Sequence, residues 1–244
     1  MASAHTLEFA PLQAGLELKK AFEAYWRGDA SYLDRVPEFT RDQRFEFNMD
    51  SPLDEVEEAR TQGKRVIIGP LTYLWLGKAK AGNFDTLELL DRLLPIYGDL
   101  LGRLAGQGVE WVQIDEPILS LELPQDWKNA FERAYHTLQY SPLKKLIATD
   151  FGGLEVNLGL AVSLAVNGLH VDLVRAPEQL PTLLDRLPTY KVLSLGVATD
   201  LNVWRCDLRV ARELLSEAKA RFGENLWITD TGALLVNPVD QNAA

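Results

Sequence analysis

The 244 residues carry a formal charge of −10, with 47% apolar and 25% charged side chains. A field of that sign repels phosphate backbones and anionic lipid headgroups, so nucleic acid and membrane surfaces are set aside as partners; the apolar share suffices for one buried core. The apolar stretches 66–68 and 158–166 are too short to span a bilayer, and the opening Met1-Ala2-Ser3-Ala4-His5-Thr6 has no basic run followed by an apolar one, so the expectation is a cytoplasmic protein without a secretory signal.

In chain order, short β-rich runs alternate with longer amphipathic segments. Strands are expected at 6–9, 44–47, 65–68, 109–114, 145–149, 168–174, 192–197 and 226–229. Helices are expected at 16–26, 53–62, 85–107, 127–139, 157–167, 178–187 and 208–222, the third kinking or restarting near Pro95 and stopping at Gly108. From Arg65 onward each strand is followed by one helix. This is the order of parallel βα units, which form an open doubly wound sheet or a closed barrel.

Two features favour the barrel. No G-x-G-x-x-G fingerprint follows the first strand, and acidic residues recur where strands end, at Asp115, Glu116, Asp150, Asp172, Asp200 and Asp230. The segment 27–43, with Gly28-Asp29 and Pro37, is too short for a full βα unit. The fold class is therefore α/β, a single (βα)8-type TIM-like barrel domain over 1–244, incomplete or rearranged near its first two strands.

Cys206 is the single cysteine, and His5, His136 and His170 are widely spaced, so neither a disulfide nor a metal site built from this chain is expected. The sharpest local feature is Gln113-Ile114-Asp115-Glu116-Pro117. Strand alternation sends Gln113 and Asp115 to one face and Ile114 and Glu116 to the other. These carboxylates either accept hydrogen bonds from a ligand at the barrel mouth or serve structure, capping a neighbouring helix or pairing with an arginine. Tyr73 and Trp75, in an aromatic segment read as a loop, either stack on a flat ligand or seal the barrel end. His170 and Asp172 share a strand face, as core hydrogen-bonding groups or as ligand contacts. No G-x-S-x-G elbow, P-loop or Ser/His/Asp grouping is visible.

Four segments together carry a family resemblance. They are Ile68-Gly69-Pro70-Leu71-Thr72-Tyr73-Leu74-Trp75-Leu76-Gly77-Lys78, Glu110-Trp111-Val112-Gln113-Ile114-Asp115-Glu116-Pro117, Gly168-Leu169-His170-Val171-Asp172-Leu173-Val174 and Asn202-Val203-Trp204-Arg205. In this order they resemble the N-terminal barrel of cobalamin-independent methionine synthase, from about Val36 to Pro238 with a shorter match over 5–26.

The resemblance implies a metal-free barrel that helps hold a polyglutamylated methyltetrahydrofolate, facing a second barrel whose zinc activates homocysteine. That zinc barrel has no counterpart in this sequence, so no cofactor is expected in this chain and zinc enters only if a partner barrel supplies it. The family's first strand and helix read approximately G-F-P-R-x-G-x-x-R-E-L-K, and here Glu17, Leu18 and Lys19 match while Leu16 replaces an arginine and the earlier arginine is also lost. Glu17 and Lys19 remain ligand-binding candidates, with the anion site weakened by the lost guanidiniums. A block after Trp26, including a lysine that meets the folate, is missing. A barrel left with a gap has sheet edges that a partner subunit or a second copy could cover.

The reading placed first is a diverged relative that binds a folate-like or amino-acid-like small molecule and does not transfer methyl groups alone. One half of a split enzyme, completed by a separate catalytic barrel, comes second. A repurposed enzyme using Asp115, Glu116 or His170 for acid-base work comes third.

Overall fold

Parallel strands covered on both faces read as nearly continuous buried runs, and three successive segments have this character: β5 (Trp111–Asp115), β6 (Lys144–Thr149) and β7 (Gly168–Asp172). The computed structural model describes residues 3–4, 37–45, 65–80, 84–150, 152–198 and 208–230. The other strands are β1 (Ser3–Ala4), β2 (Glu38–Phe39), β3 (Arg65–Ile68), β4 (Lys78–Ala79), β8 (Val192–Ala198) and β9 (Leu226–Asp230). Seven form one sheet in the order β1-β9-β8-β7-β6-β5-β3, every pair parallel, while β2 and β4 make a separate two-stranded ladder.

That sheet is rolled. Trp111 on β5 and Trp227 on β9 meet edge to face at 4.7 Å between ring centroids, although β6, β7 and β8 lie between their strands. In a flat sheet, four strand spacings would hold them about 19 Å apart. The sheet therefore curls around a concave inner wall as in a (βα) barrel. Its edges are β1 and β3, and no strand joins them among the described residues. Arg44 and Phe45, expected to begin a strand there, are irregular.

The outer face of the sheet carries Val112, Ile114, Ile147, Leu169, Val171, Leu193 and Leu195, all buried in one apolar cluster with the helices. These helices are α1 (Pro70–Leu76), α2 (Leu90–Gly106), α3 (Gln125–Leu138), α4 (Leu158–Ser163), α5 (Leu180–Arg186) and α6 (Leu208–Phe222). None of the described helices is long and apolar enough to cross a membrane.

Several expectations are revised. The helix does not restart at Pro95: α2 runs unbroken through it, after a 3-10 turn at Thr86–Leu89 capped by the Asp85 carboxylate. Pro95 sits on the exposed side, while Leu93, Leu94, Tyr97, Leu101 and Leu104 keep the buried stripe continuous. Tertiary packing thus outweighs the one hydrogen bond that proline removes. The aromatic segment read as a loop contains α1, which starts at Pro70, the position where a missing N–H is harmless. Seven residues are too few for helical periodicity to show. The strand expected at 6–9, the helices at 16–26 and 53–62, Glu17, Lys19, Asp200, Cys206 and the segment 202–205 lie outside the described residues.

The N-terminal end of the inner wall is plugged by the two tryptophans, with the Lys144 ammonium 5.5 Å from the Trp111 ring centre. Beneath it, the buried ammoniums of Lys145 and Lys191 donate to carbonyls of Ser141 and Leu143 and of Val162 and Leu164 respectively. Burial pushes the Lys145 ammonium down to about 8.

Gly108 ends α2 with φ at +82°, and its N–H bonds back to the Ala105 carbonyl. A Cβ there meets no neighbouring atom, so the cost of a substitution is purely conformational. Gly108→Ala is expected to lower stability by about 1 kcal/mol without altering the fold, measured by urea unfolding.

Candidate functional site

Strand parity divides the chemistry of this sheet. Register pairs Asp115 with Ala148, Ala148 with His170 and His170 with Ser194, and paired residues of parallel strands point to the same side. The polar side chains Gln113, Asp115, Asp150, His170, Asp172 and Ser194 consequently share the inner wall, opposite the apolar outer face. They crowd toward the C-terminal ends of the strands, where (βα) barrels carry their sites.

On that wall, His170 is fully buried between two partners. Its Nδ1 lies 3.1 Å from the Ser194 hydroxyl, and its Nε2 stands 3.2 Å from Asp150 Oδ1. The second contact is within ion-pair range but off the line of a hydrogen bond, so Nε2 and Asp150 Oδ1 both lack an aligned partner. Gln113 donates its amide to Asp115 Oδ1 at 2.8 Å, and its own carbonyl oxygen is buried without a donor. Buried polar atoms are seldom left in this condition unless water or a ligand completes them.

Asp172 is in a different state. Its carboxylate accepts the backbone N–H groups of Val174 and Arg175, both at 2.9 Å, and the Arg175 guanidinium at 2.6 Å. It thereby fixes the turn after β7. Ser194 was missed from the sequence, and Asp150, His170 and Ser194 form the Ser/His/Asp grouping not visible there. The available signal was parity: Ser194 is polar inside an apolar run, at the register position opposite His170. Its hydroxyl is buried, so the trio reads as a polar chain leading from Asp150 inward.

Glu116 turns the other way. Its fully buried carboxylate accepts the N–H groups of Leu71 (3.2 Å) and Thr72 (2.8 Å), the Thr72 hydroxyl and the Tyr135 hydroxyl (2.9 Å). It caps α1 and ties it to α3, as one of the two readings of the acidic pair anticipated. A Cβ on Gly69 would lie 2.0 Å from the Glu116 carboxyl carbon, so only glycine lets the chain pass so close. Burial outweighs the four donors and pushes the carboxyl up to about 7.

Tyr73 and Trp75 are also drawn away from the wall. Tyr73 packs against Phe39 and Phe45, and Trp75 stands edge-on to Trp127 of α3 at 4.7 Å. A groove of about 480 Å³, lined by Asp91, Pro95, Gly98, Tyr140 and Ser141 among others, lies outside between α2 and the end of α3. The inner wall is the better candidate, because it is where buried polar groups converge.

Against known families, the model described as cobalamin-independent synthase, N-terminal domain, matches residues 29–223. This chain belongs to that family. Among solved structures, a B12-independent methionine synthase from Shewanella sp. W3-18-1, in complex with selenomethionine, superposes with a TM-score of 0.59 at 13% identity, over 74% of this chain and 57% of that one. A protein designated a vitamin-B12-independent methionine synthase, from Listeria monocytogenes, gives 0.62 at 14% identity, over 96% of this chain and 90% of that one. A methyltransferase from Methanosarcina mazei gives 0.54 at 13% identity, over 76% and 58%. At these identities the likeness shows the fold, and the chain spans little more than half of the Shewanella and Methanosarcina proteins.

In this synthase-type barrel, the acidic segment at the end of β5 thus splits, Asp115 to the inner wall and Glu116 to the helical layer. Glu116→Ala would leave the N–H groups of Leu71 and Thr72 and the Tyr135 hydroxyl buried without an acceptor, and is expected to cost about 2–5 kcal/mol in urea unfolding. The unfolded carboxyl titrates near its ordinary 4.5, whereas the native one holds its proton to about 7. The native state therefore binds the extra proton between these values. Stability from this group is full below 4.5 and falls by roughly 3 kcal/mol as pH rises through 7. A pH series of unfolding midpoints on wild type and Glu116→Ala should show that dependence only in wild type.

Proposed function

We propose that this member of the cobalamin-independent synthase N-terminal domain family binds a folate-like or amino-acid-like small molecule on its inner wall and does not carry out methyl transfer alone. The observation that carries the reading is that Gln113 Oε1, Asp150 Oδ1 and His170 Nε2, three of the five buried side-chain atoms without an aligned partner among the described residues, gather on one wall of a barrel, the others being Ser141 Oγ and Asn157 Oδ1. The selenomethionine bound to the Shewanella relative is in keeping with an amino-acid-like ligand.

Among the described residues, no three His, Cys, Asp or Glu side chains are grouped as a metal-ligand set. No step is therefore routed through a metal here. Calorimetry with a reduced folate polyglutamate and with L-homocysteine tests the proposal. Saturable heat with at least one is expected, and no heat with either would overturn it.

A second reading, one half of a split methyltransferase, draws on the share of the relatives that this chain spans, 57% and 58% in two of them. It expects methyl transfer only when this chain is mixed with a separate zinc-bearing barrel, together with an earlier elution on size exclusion. An unshifted profile and no turnover on mixing would count against it.

A further inference from the structure

We propose that α1 is a proton-held strap: it stays docked on the sheet while the buried Glu116 carboxyl carries a proton, and it works loose as that carboxyl ionises. The device belongs to the outer layer and is independent of what the inner wall binds.

The build of α1 makes it separable. Seven residues are too few for a helix to hold itself, and α1 runs between two extended glycines, Gly69 and Gly77. Gly69 lies against the Glu116 carboxyl and Gly77 against the Phe39 ring, so closely that a Cβ at either would overlap its neighbour. The helix follows β3, an edge strand paired to β5 alone among the described residues. Its apolar anchors are Leu71 and Leu74 in the core, with Tyr73 against Phe39 and Trp75 against Trp127. Its polar anchor is Glu116, which accepts the N–H groups of Leu71 and Thr72 and the Thr72 hydroxyl.

That anchor is a fully buried carboxyl without a countercharge. Among the described residues no lysine, arginine or histidine pairs with it. The groups around it are Thr72 and Tyr73 of α1, Tyr97 of α2, Tyr135 of α3, and Asp115, its neighbour on β5. Burial pushes all three tyrosine hydroxyls up, so they stay neutral, and Asp115 can add only like charge. A buried carboxylate in such company is costly. The cluster has room for the proton: the hydroxyls of Thr72 and Tyr135 donate to the carboxylate, and either can turn to accept from the carboxylic acid instead.

Lifting α1 lets water reach Glu116 and returns it toward its ordinary 4.5, whereas the docked carboxyl keeps its proton to about 7. Between these values the docked state binds the extra proton. Docking is therefore strongest below 4.5, weakens up to tenfold per pH unit across the window, and changes no further once the docked carboxyl has ionised.

The test is native-state hydrogen exchange on the wild-type chain between about pH 5 and 8, with each amide corrected for its intrinsic rate. The amides of α1 are expected to be less protected than those of β6 and β7 at every pH. Their protection should fall at least tenfold from about pH 5 to 7 and then level off, while Glu116→Gln removes the slope. In parallel, wild type at about pH 6 should show the infrared band of a protonated carboxyl, which disappears by about pH 8. Protection of α1 equal to that of β6 and β7 would mean that α1 opens only with the whole molecule, and would overturn the inference. So would a pH-independent α1, an unchanged slope in folded Glu116→Gln, or no protonated carboxyl at pH 6. The wild-type exchange and infrared series need no variant, so a misfolded Glu116→Gln leaves the inference open to refutation.

Discussion

The curvature of the parallel sheet is the constraint on which everything else rests. Rolling β5 through β9 until Trp111 touches Trp227 creates an inside and an outside, and strand alternation then assigns every residue to one or the other. Apolar side chains on the outside bind the helical layer. Polar ones on the inside are concentrated at one end because the tryptophans fill the other. A flat version of the same sheet would leave the same residues in two unrelated rows.

Glu116 shows how tightly the outer layer is coupled to that sheet. Its carboxylate replaces water for two backbone N–H groups and two hydroxyls, holding α1 to the end of β5 and to α3. Gly69 makes the approach possible by lacking a side chain. The Asp172–Arg175 turn does comparable work after β7. In both places a strand-end carboxylate is committed to architecture, which separates these two from Asp150 although all three lie where their strands end.

Much of the architecture was legible in the residues. The strands of the main sheet from Arg65 onward were expected within two or three residues of where they lie, though the short β4 was not, and the last helix at its observed limits, because buried parallel strands and amphipathic helices leave strong periodic signals. The site was legible only in part. Parity correctly put Gln113 and Asp115 on one face and Glu116 on the other, and it offered both roles for the acidic pair without choosing between them. It did not bring Ser194 to His170, since the two are 24 residues apart and meet only through strand pairing. The aromatic segment around Tyr73 and Trp75 looked like a loop because α1 is one short helix packed against its neighbours.

By itself the sequence determined the class of fold, its family and the faces on which its strand residues lie, since these follow from local periodicity and from motifs in fixed order. Tertiary structure decided which carboxylates are already satisfied and which one is left wanting a donor. That outcome depends on what each oxygen meets across the fold: helix N–H groups for Glu116, an arginine for Asp172, and for Asp150 an imidazole standing just off line. Hydrogen bonding is directional over a few tenths of an ångström, and no pattern along the chain carries that information.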